Sequence, residues 1–357
     1  MRPFLSILFS LFISVFFSAA AHALVVLQYH HISNTTPRST STSPELFAQH
    51  LEIIASEKFQ VVSIEQLKTW LHKGERLPDK TVVITFDDGY RSVYTAAFPL
   101  LKKRGWPFTV FVNTQAHDGK KPQFMSWGEL KTLATYGAVI GNHTDSHPHL
   151  IRQRKHESHK QWLQRREQEI NFAEMRIKKE IGESHKVFAY PYGEYDENLT
   201  SLLKRKGYIA FGQQSGPVAK ESHHQVLPRF PFGGAYGGPE DFLSKLTSLP
   251  FPMARLKVTT ESGAVLYSPE LPQGATKPVL RVASPMMNYL NGLNCYASGQ
   301  GKIKSDIKGG VLVAQTVRPL PPGRSRYNCT AQAGGGRFYW LSQLFIRRLP
   351  NGDWVKE

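Results

Sequence analysis

The sequence predicts an α/β fold, either a parallel sheet or a (β/α) barrel, followed by a small C-terminal β-sandwich. Strand-like apolar runs alternate with capped helical segments from Leu24 to about Phe232, and such alternation is typical of parallel sheets and barrels. It stops near "SLPFP", after which short β-type runs are separated by Gly, Pro, Asn and Ser clusters. The 357 residues, 41% of them hydrophobic, suffice for one large domain and one smaller one.

Helix starts in the first region are marked by capping residues: Ser43 before Pro44, Ser63, and Ser126 with Glu129. The predicted strands are residues 24–29, 59–63, 82–86, 108–113, 138–141, 186–191 and 208–212. The predicted helices are residues 44–58, 64–71, 93–105, 127–137, the charged segment after 150, residues 197–207 and about 239–248. In either architecture the carboxyl ends of the strands carry the site.

The C-terminal region contains runs such as "RLKVTT", "VLRVAS", "GVLVAQTV" and "FYWLSQLFIRRL". Runs of this length between turn residues predict a β-sandwich over residues 255–357. The chain has two cysteines, Cys295 and Cys329, both in this region. We expect them to form a disulfide if the protein is exported, with two buried free thiols as the alternative.

The N-terminus has the layout of a secretory signal. Arg2 precedes an apolar run, and small residues surround His22, which predicts cleavage after Ala23 and a mature chain from Leu24. An uncleaved membrane anchor is the alternative reading. The expected location is therefore the periplasm, the extracellular space or the cell envelope.

The formal net charge is +16, and much of it is expected between Arg152 and Lys186. Charges of both signs are mixed there, which favours a solvated helix face. An anionic envelope surface is the partner that such a charge would attract. We find no nucleic-acid-binding motif and predict no nucleic-acid partner.

The run "TVVITFDDGY" places Asp87 and Asp88 directly after a strand predicted to be buried. Two adjacent carboxylates at such a position repel each other and lose hydration, so they need a metal ion, a shared proton or a nearby cation. Asp87 and Asp88 are therefore candidate functional residues.

The run "GNHTDSHPHL" supplies His143 and His147 after another strand. Pro148 disfavours helical geometry at His147, so we expect a tight turn. One strand-end carboxylate and two histidines suit a divalent cation with open positions. Zinc fits these ligand atoms, and cobalt, nickel or iron fit them as well.

These motifs resemble those of the polysaccharide deacetylases, the NodB-homology group or carbohydrate esterase family 4. "TFDDG" and "HTDSH" are similar to its first two motifs. "FAYPYGEYDE", "LQYHHIS" and "SPELFAQHLEII" resemble its exopolysaccharide branch, which includes enzymes acting on poly-N-acetylglucosamine. The resemblance covers about residues 24–232 and implies a distorted (β/α) barrel, with residues 24–250 as the catalytic domain and the C-terminal β-region as an accessory domain.

The resemblance also implies roles for individual residues. Asp87 would be the general base, and Asp88, His143 and His147 would hold the metal. The backbone N–H of Tyr192 would stabilise the oxyanion. The substrate-binding candidates beside this set are Pro191, Tyr192, Tyr195 and His30.

Two departures from the family pattern matter. The arginine that orients the base is replaced at Phe188 and Ala189, and we expect Arg229 to supply its charge. The family's general-acid histidine is missing near "VLPRF", so protonated Asp87, His223 or His224 would return the proton.

The expected activity is removal of N-acetyl groups from an amino-sugar polysaccharide by a metal-dependent hydrolase. A peptidoglycan deacetylase, an O-acetyl esterase and a non-catalytic carbohydrate-binding protein are the alternatives.

Overall fold

The chain folds into two large β-sheets and a separate two-stranded sheet in the computed structural model, which describes residues 24–74, 78–234 and 236–356. The predicted signal segment, residues 1–23, lies outside these residues. In the described part of the chain, no helix is both long and apolar enough to cross a membrane.

Strands and helices alternate through the first region, as predicted. In chain order they are β1 (Leu24–Tyr29), β2 (His31–Ile32), β3 (Ser41–Thr42), α1 (Pro44–Ser56), β4 (Gln60–Val61), α2 (Ile64–Lys73), β5 (Thr81–Phe86), α3 (Phe98–Arg104), β6 (Thr109–Val112), α4 (Thr114–Asp118), α5 (Trp127–Thr135), β7 (Val139–Asn142), α6 (His159–Ile181), β8 (Val187–Ala189), α7 (Glu197–Arg205), β9 (Ile209–Phe211), β10 (Phe230–Pro231) and α8 (Pro239–Leu246).

The predicted capping residues begin their helices. Ser43 accepts a hydrogen bond from the Leu46 N–H at the start of α1, and Ser63 and Ser126 form capping boxes with Gln66 and Glu129. These bonds satisfy backbone donors that the first helical turn leaves free.

The first sheet is parallel, in the order β10–β1–β5–β6–β7–β8–β9, with β4 paired to the start of β5. The sheet is a curled half-barrel, because its two edge strands, β10 and β9, do not pair with each other in the described part of the chain. Alternate residues of β1 enter two cores: Val25 and Leu27 pack in one, Leu24 and Val26 in the other. Both faces are therefore buried, as parallel sheets require.

The second sheet has nine strands in the order β11–β19–β18–β15–β16–β17–β14–β12–β13. These strands are β11 (Leu249–Pro250), β12 (Arg255–Thr259), β13 (Val265–Leu266), β14 (Val279–Ala283), β15 (Asn291–Ala297), β16 (Gly301–Lys308), β17 (Val311–Gln315), β18 (Gly323–Gly334) and β19 (Arg337–Arg347).

This second sheet folds over on itself through β16. The first part of β16 pairs with β15 and the rest, from Lys304, pairs with β17. Leu280 and Leu312 from one layer share a single core with Tyr327 and Phe345 from the other. The predicted β-sandwich is thus a bent sheet whose layers share a strand, and Cys295 and Cys329 form a disulfide between β15 and β18 inside it.

Candidate active site

Asp87 and Asp88 lie in a tight turn at the carboxyl end of β5. The Asp87 N–H donates to the Tyr29 carbonyl at 2.8 Å, which continues the pairing of β5 with β1. Asp88 then adopts a left-handed conformation with φ 71°, and so does Gly89. A Cβ at Gly89 would lie 2.6 Å from the His117 ring, so only glycine fits under the turn. The carboxylates of Asp87 and Asp88 consequently face different groups, which are described below.

His143 and His147 follow β7 in a turn, as expected from Pro148. The His143 N–H donates to the Val112 carbonyl at 3.0 Å, which extends the ladder by one residue. The Thr144 hydroxyl accepts a hydrogen bond from the His147 N–H at 3.0 Å. Thr144 and His147 have φ values of 71° and 56°, and this backbone brings both imidazoles to the same side.

Asp88, His143 and His147 form a candidate cation site. Their ligand atoms all lie within 4.8 Å of one another, and Nε2 of each histidine is 3.3 Å from Asp88 Oδ1. The His143 Nδ1–H donates to the Ala189 carbonyl at 2.7 Å, which leaves its Nε2 lone pair for a metal. Asp88 Oδ1 is buried without a hydrogen-bond partner, as a carboxylate oxygen reserved for a cation would be. The residues therefore fit a divalent metal ion.

Asp87 is held by a separate set of partners. Its two carboxylate oxygens accept hydrogen bonds from Nη1 and Nη2 of Arg229, both at 2.7 Å. Gln28 Nε2 donates to Oδ2, also at 2.7 Å. Both members of the Asp87–Arg229 pair are fully buried. The arginine expected from the departure in the third motif thus lies against Asp87, and both oxygens are oriented by fixed donors.

Arg229 is itself fully bonded. Its Nε donates to the Gly212 carbonyl at 3.0 Å, and Nη1 also donates to the Thr85 hydroxyl at 3.2 Å. A buried guanidinium with every branch engaged cannot turn away from Asp87. The position of the Asp87 carboxylate is consequently fixed by residues that flank three strands, β5, β9 and β10.

The electrostatics separate the roles of these groups. Burial acts to raise the pKa of Asp87, but the Arg229 guanidinium outweighs it and holds this pKa below its usual range. Burial likewise opposes the ionisation of Asp88, yet the neighbouring imidazoles, His143 first, lower its pKa strongly. Burial, aided by the charge of His143, lowers the pKa of His147 to about 4. At pH 7 both carboxylates are ionised and His147 is neutral, the forms that bind metals.

Pro191, Tyr192 and Gly193 form the opposite wall in a single 3₁₀ turn after β8. Tyr192 has φ 59° and ψ 4°, a conformation that costs a non-glycine residue about 1–2 kcal/mol. The Tyr192 ring meets the His147 ring edge-on, with centroids 4.7 Å apart, and stacks on His149 at 3.7 Å. The turn that carries the predicted oxyanion donor therefore touches a metal-ligand candidate.

The other predicted residues lie at different places. His30 is half-buried and lies near enough to Asp88 and His147 to influence the pKa of both. Tyr195 packs with Ile151 and the second sheet and lines a cavity of about 800 Å³ between the sheets. It faces this cavity and not the metal ligands.

His223 and His224 do not reach the site. They line a hollow with Gly207 and Tyr208, just before β9 begins, whereas the carboxylates follow the ends of strands. The suggestion that either histidine returns the proton is therefore wrong in this structure.

Two residues of the site were missed by sequence reasoning. Gln28 is a fully buried polar residue in an otherwise apolar stretch of β1, and its isolation in that run was the available signal. Tyr90 follows Gly89 and stacks on His31 with centroids 3.5 Å apart. Burial, with the charge of Asp88, raises the pKa of Tyr90.

A family model and the named relatives of this chain agree with each other. Residues 74–211 match the family model described as polysaccharide deacetylase. The poly-beta-1,6-N-acetyl-D-glucosamine N-deacetylase of Escherichia coli K12 is 26% identical over 245 residues, which cover 58% of this chain and 36% of that protein. The enzyme of the same name from Staphylococcus aureus MRSA252 is 26% identical over 207 residues, 56% of this chain and 71% of the relative. This chain thus spans about a third of the Escherichia coli relative.

Solved structures agree in fold. IcaB from Ammonifex degensii aligns with TM-score 0.56 and 25% identity, over 64% of this chain and 98% of that one. The deacetylase PplD of Streptococcus pyogenes, solved with acetate, aligns with TM-score 0.57 and 23% identity over 63% of this chain and 99% of that one; this second likeness concerns the fold alone. Residues 74–211 thus match the polysaccharide deacetylase family, and the half-barrel that contains them has the fold of solved deacetylases.

Proposed function

We propose that the protein is a metal-dependent hydrolase that removes N-acetyl groups from N-acetylglucosamine-type residues of a cell-envelope or extracellular polysaccharide. One observation carries this proposal: Asp88, His143 and His147 converge on one point, while Asp87 is held apart by Arg229. A non-catalytic sugar-binding protein has no use for a second oriented carboxylate beside a metal site. The names of the two relatives support this substrate class.

A divalent cation bound by Asp88, His143 and His147, zinc or alternatively cobalt, nickel or iron, would polarise the acetamide carbonyl and acidify a water molecule. Asp87 accepts the proton of the attacking water as general base. Arg229 and Gln28 keep the Asp87 carboxylate ionised and aimed during this step.

The tetrahedral oxyanion needs a donor on the opposite wall, and we assign this to the Tyr192 backbone N–H. Collapse of the intermediate breaks the carbon–nitrogen bond and releases acetate. The proton held by Asp87 passes to the leaving amine, so the carboxylate is regenerated for the next cycle. His30, Pro191 and the Tyr192 ring border the site and are the proposed sugar contacts.

The test is acetate release from poly-N-acetylglucosamine oligomers, with and without chelator and with metal added back. We expect chelator to abolish release, and Asp87→Asn to lower it by about 10²–10⁴-fold, the range for a general base. His143→Ala should lose both release and metal binding. His159→Ala, an exposed histidine at the start of α6, is the matched control and should behave as wild type.

The same assay separates the alternatives. Release from purified sacculi but not from the oligomers would indicate a peptidoglycan deacetylase, and release from an acetyl ester alone would indicate an O-acetyl esterase. Metal-loaded protein that releases acetate from none of these substrates would contradict catalysis and favour a carbohydrate-binding protein.

We propose further that residues 24–250 are the catalytic domain, that residues 255–357 are a second domain, and that the protein is exported to the periplasm or cell exterior. The disulfide between Cys295 and Cys329 supports an oxidising location. Fractionation of cells with N-terminal sequencing of the product would decide this, since a mature chain should begin at Leu24.

The anionic partner is better matched by the second sheet than by α6. The segment 152–186 has ten Lys or Arg and six Asp or Glu residues, and several of its cations are paired, including Arg165 with Glu157 and Arg166 with Asp196. Residues 251–357 have fourteen Lys or Arg and only five Asp or Glu. The expectation that much of the net charge lies in the segment 152–186 is therefore wrong.

Five of these cations share the outer face of β12, β14 and β16 with one acidic residue, Asp306, and Lys257 stands directly opposite Arg281 there. None has an ion-pair partner in the described part of the chain; they are Arg255, Lys257, Arg281, Lys304 and Lys308. Like charges that face each other across strands are unfavourable, and an anionic surface would offset this.

We propose that this face binds an anionic envelope surface. Sedimentation with vesicles containing anionic phospholipid should decrease when Lys257, Arg281 and Lys304 are replaced by Gln, and should weaken steeply with salt. Binding that is unchanged in this triple variant would contradict the assignment.

A further inference from the structure

Glu194 is a buried carboxylate that belongs to the wall of the site but takes its partners from two sheets. It directly follows the turn that contains Tyr192, and its side chain is fully buried. Oε2 accepts a hydrogen bond from His149 Nδ1 at 2.8 Å, and Oε1 accepts one from Arg324 Nη1 at 3.0 Å. Arg152 Nη2 lies 3.5 Å from Oε1. A buried carboxylate is tolerated only with such compensation.

The partners of Glu194 also hold Tyr192. The His149 ring lies parallel to the Tyr192 ring, at 9° and 3.7 Å, and the Arg324 guanidinium lies 5.3 Å from the same ring. Because Tyr192 has an unfavourable left-handed backbone, its surroundings must enforce that conformation. His149, Glu194 and Arg324 are the side chains in position to do so.

Arg324 comes from β18 of the second sheet, which lies outside the residues matched by the family model. The same sheet also braces the loop that carries His147. Ile151, four residues further along, packs on Leu344 and Ile346, and Arg152 donates to the Val355 carbonyl at 2.9 Å. The Tyr192 turn and the loop that carries His147 are thus both linked by contacts to the C-terminal region that contains the second sheet.

We propose that Arg324 is a positioning residue for catalysis and that the second sheet completes the active site. Arg324 fixes Glu194, and through it His149 and the Tyr192 turn, so that the Tyr192 N–H stays where the oxyanion forms. This inference rests on the proposed function, but its structural part, the order of the Tyr192 turn, is measurable without activity.

The experiment compares Arg324→Ala and Arg324→Lys with Arg318→Ala in the full chain. Arg318 is an exposed arginine of the same sheet region and serves as the matched control. We expect Arg324→Ala to lower kcat about tenfold with KM within about twofold, since a misplaced group reduces transition-state stabilisation. Arg324→Lys, which keeps the charge beside Glu194, should recover part of kcat, and Arg318→Ala should match wild type.

Hydrogen exchange of the segment 190–196 supplies the second readout. The Gly193 and Glu194 amides donate to the Tyr190 and Pro191 carbonyls, so their exchange should accelerate in Arg324→Ala and stay slow in the control. Arg324→Gln replaces Arg324→Ala if the alanine variant does not fold.

The outcomes are distinguishable. Wild-type kcat together with wild-type exchange in folded Arg324→Ala would overturn the inference, and so would a lowered kcat without faster exchange of this segment. A wild-type protein that releases no acetate would contradict the proposed function, whereas faster exchange in Arg324→Ala would still support the link between the sheets.

Discussion

Asp87 and Glu194 are both buried carboxylates bonded to an arginine distant in sequence, yet their surroundings differ. Asp87 and Arg229 are wholly enclosed by the first sheet, and neither side chain has any exposed surface. Glu194 is equally enclosed, but the side chains of Arg324 and His149 are 26% and 19% exposed. The first cluster belongs to one sheet, whereas the second lies where two sheets meet.

This difference separates two ways of holding an active site. The Asp87 cluster is part of the core, so its geometry and the stability of the fold are inseparable. The Glu194 cluster depends on how the second sheet sits against the first, so its geometry can change while both sheets remain folded. We therefore expect changes in either cluster to lower catalysis, and changes in the Asp87 cluster to cost more stability than changes at Glu194.

The largest effect is expected for Arg229→Met. Breaking a buried ion pair by removing one partner costs about 3–5 kcal/mol, and the Asp87 carboxylate would lose the cation that lowers its pKa. The free energy of unfolding, from urea titration, should fall by that amount, and acetate release should fall at least about 100-fold.

Its control is the double variant Arg229→Met with Asp87→Asn. Removing both charges leaves no isolated ion in the core, so this protein should be more stable than Arg229→Met alone. A double variant that is less stable than the single one would contradict the account of Asp87 as an obligate partner of Arg229.

Glu194→Gln should have an intermediate effect that depends on pH. Burial acts to raise the pKa of Glu194, but the hydrogen bond and charge of His149 outweigh it and lower that pKa. The carboxylate therefore stabilises the fold fully above its ordinary pKa of about 4.3, and this contribution is lost as pH falls through the lower folded-state value.

Wild type should exceed Glu194→Gln by about 1–3 kcal/mol at pH 7, the range for a hydrogen bond to a charged group, and the gap should close below about pH 4. Urea titrations at pH 7, 5 and 3 measure this. A gap that widens in acid would show that Glu194 is not ionised in the folded protein.

The smallest effect is expected for Gln28→Leu. It removes a hydrogen bond to Asp87, but it also removes Oε1 of Gln28, which is buried without a partner. These two changes oppose each other, so stability should change by less than about 1 kcal/mol. The acid limb of the pH–rate profile should move to higher pH, because Asp87 loses one donor that favours its charged form.

The sequence was informative for the Asp87 side of this comparison. Buried strands of β-branched and aromatic residues, capping serines and strand-end polar residues are local signals, and parallel pairing brings their ends together. The family resemblance also pointed to Arg229, because the arginine that orients the base in that family is replaced at Phe188 and Ala189. Arg229 is nevertheless 142 positions away from Asp87.

The Glu194 side was not predictable in the same way. Arg324 lies on β18, whose inward residues Ser325, Tyr327, Cys329 and Ala331 alternate with half-buried polar residues. No local pattern states that this strand packs against the turn after β8. Contacts between the two sheets depend on how their surfaces fit together. A single sequence contains no local pattern that shows such a fit.

The left-handed residues of the site have a consequence for protein engineering. Asp88, Thr144, His147 and Tyr192 are four of the nine non-glycine residues with positive φ among residues 24–74, 78–234 and 236–356. The site therefore concentrates backbone conformations that selection for thermostability would remove. Thr144→Gly would relieve such a conformation, but it would delete the hydroxyl that fixes the His147 backbone. A screen for heat resistance alone would accept that exchange and erode turnover, so directed evolution of this enzyme has to select for both properties together.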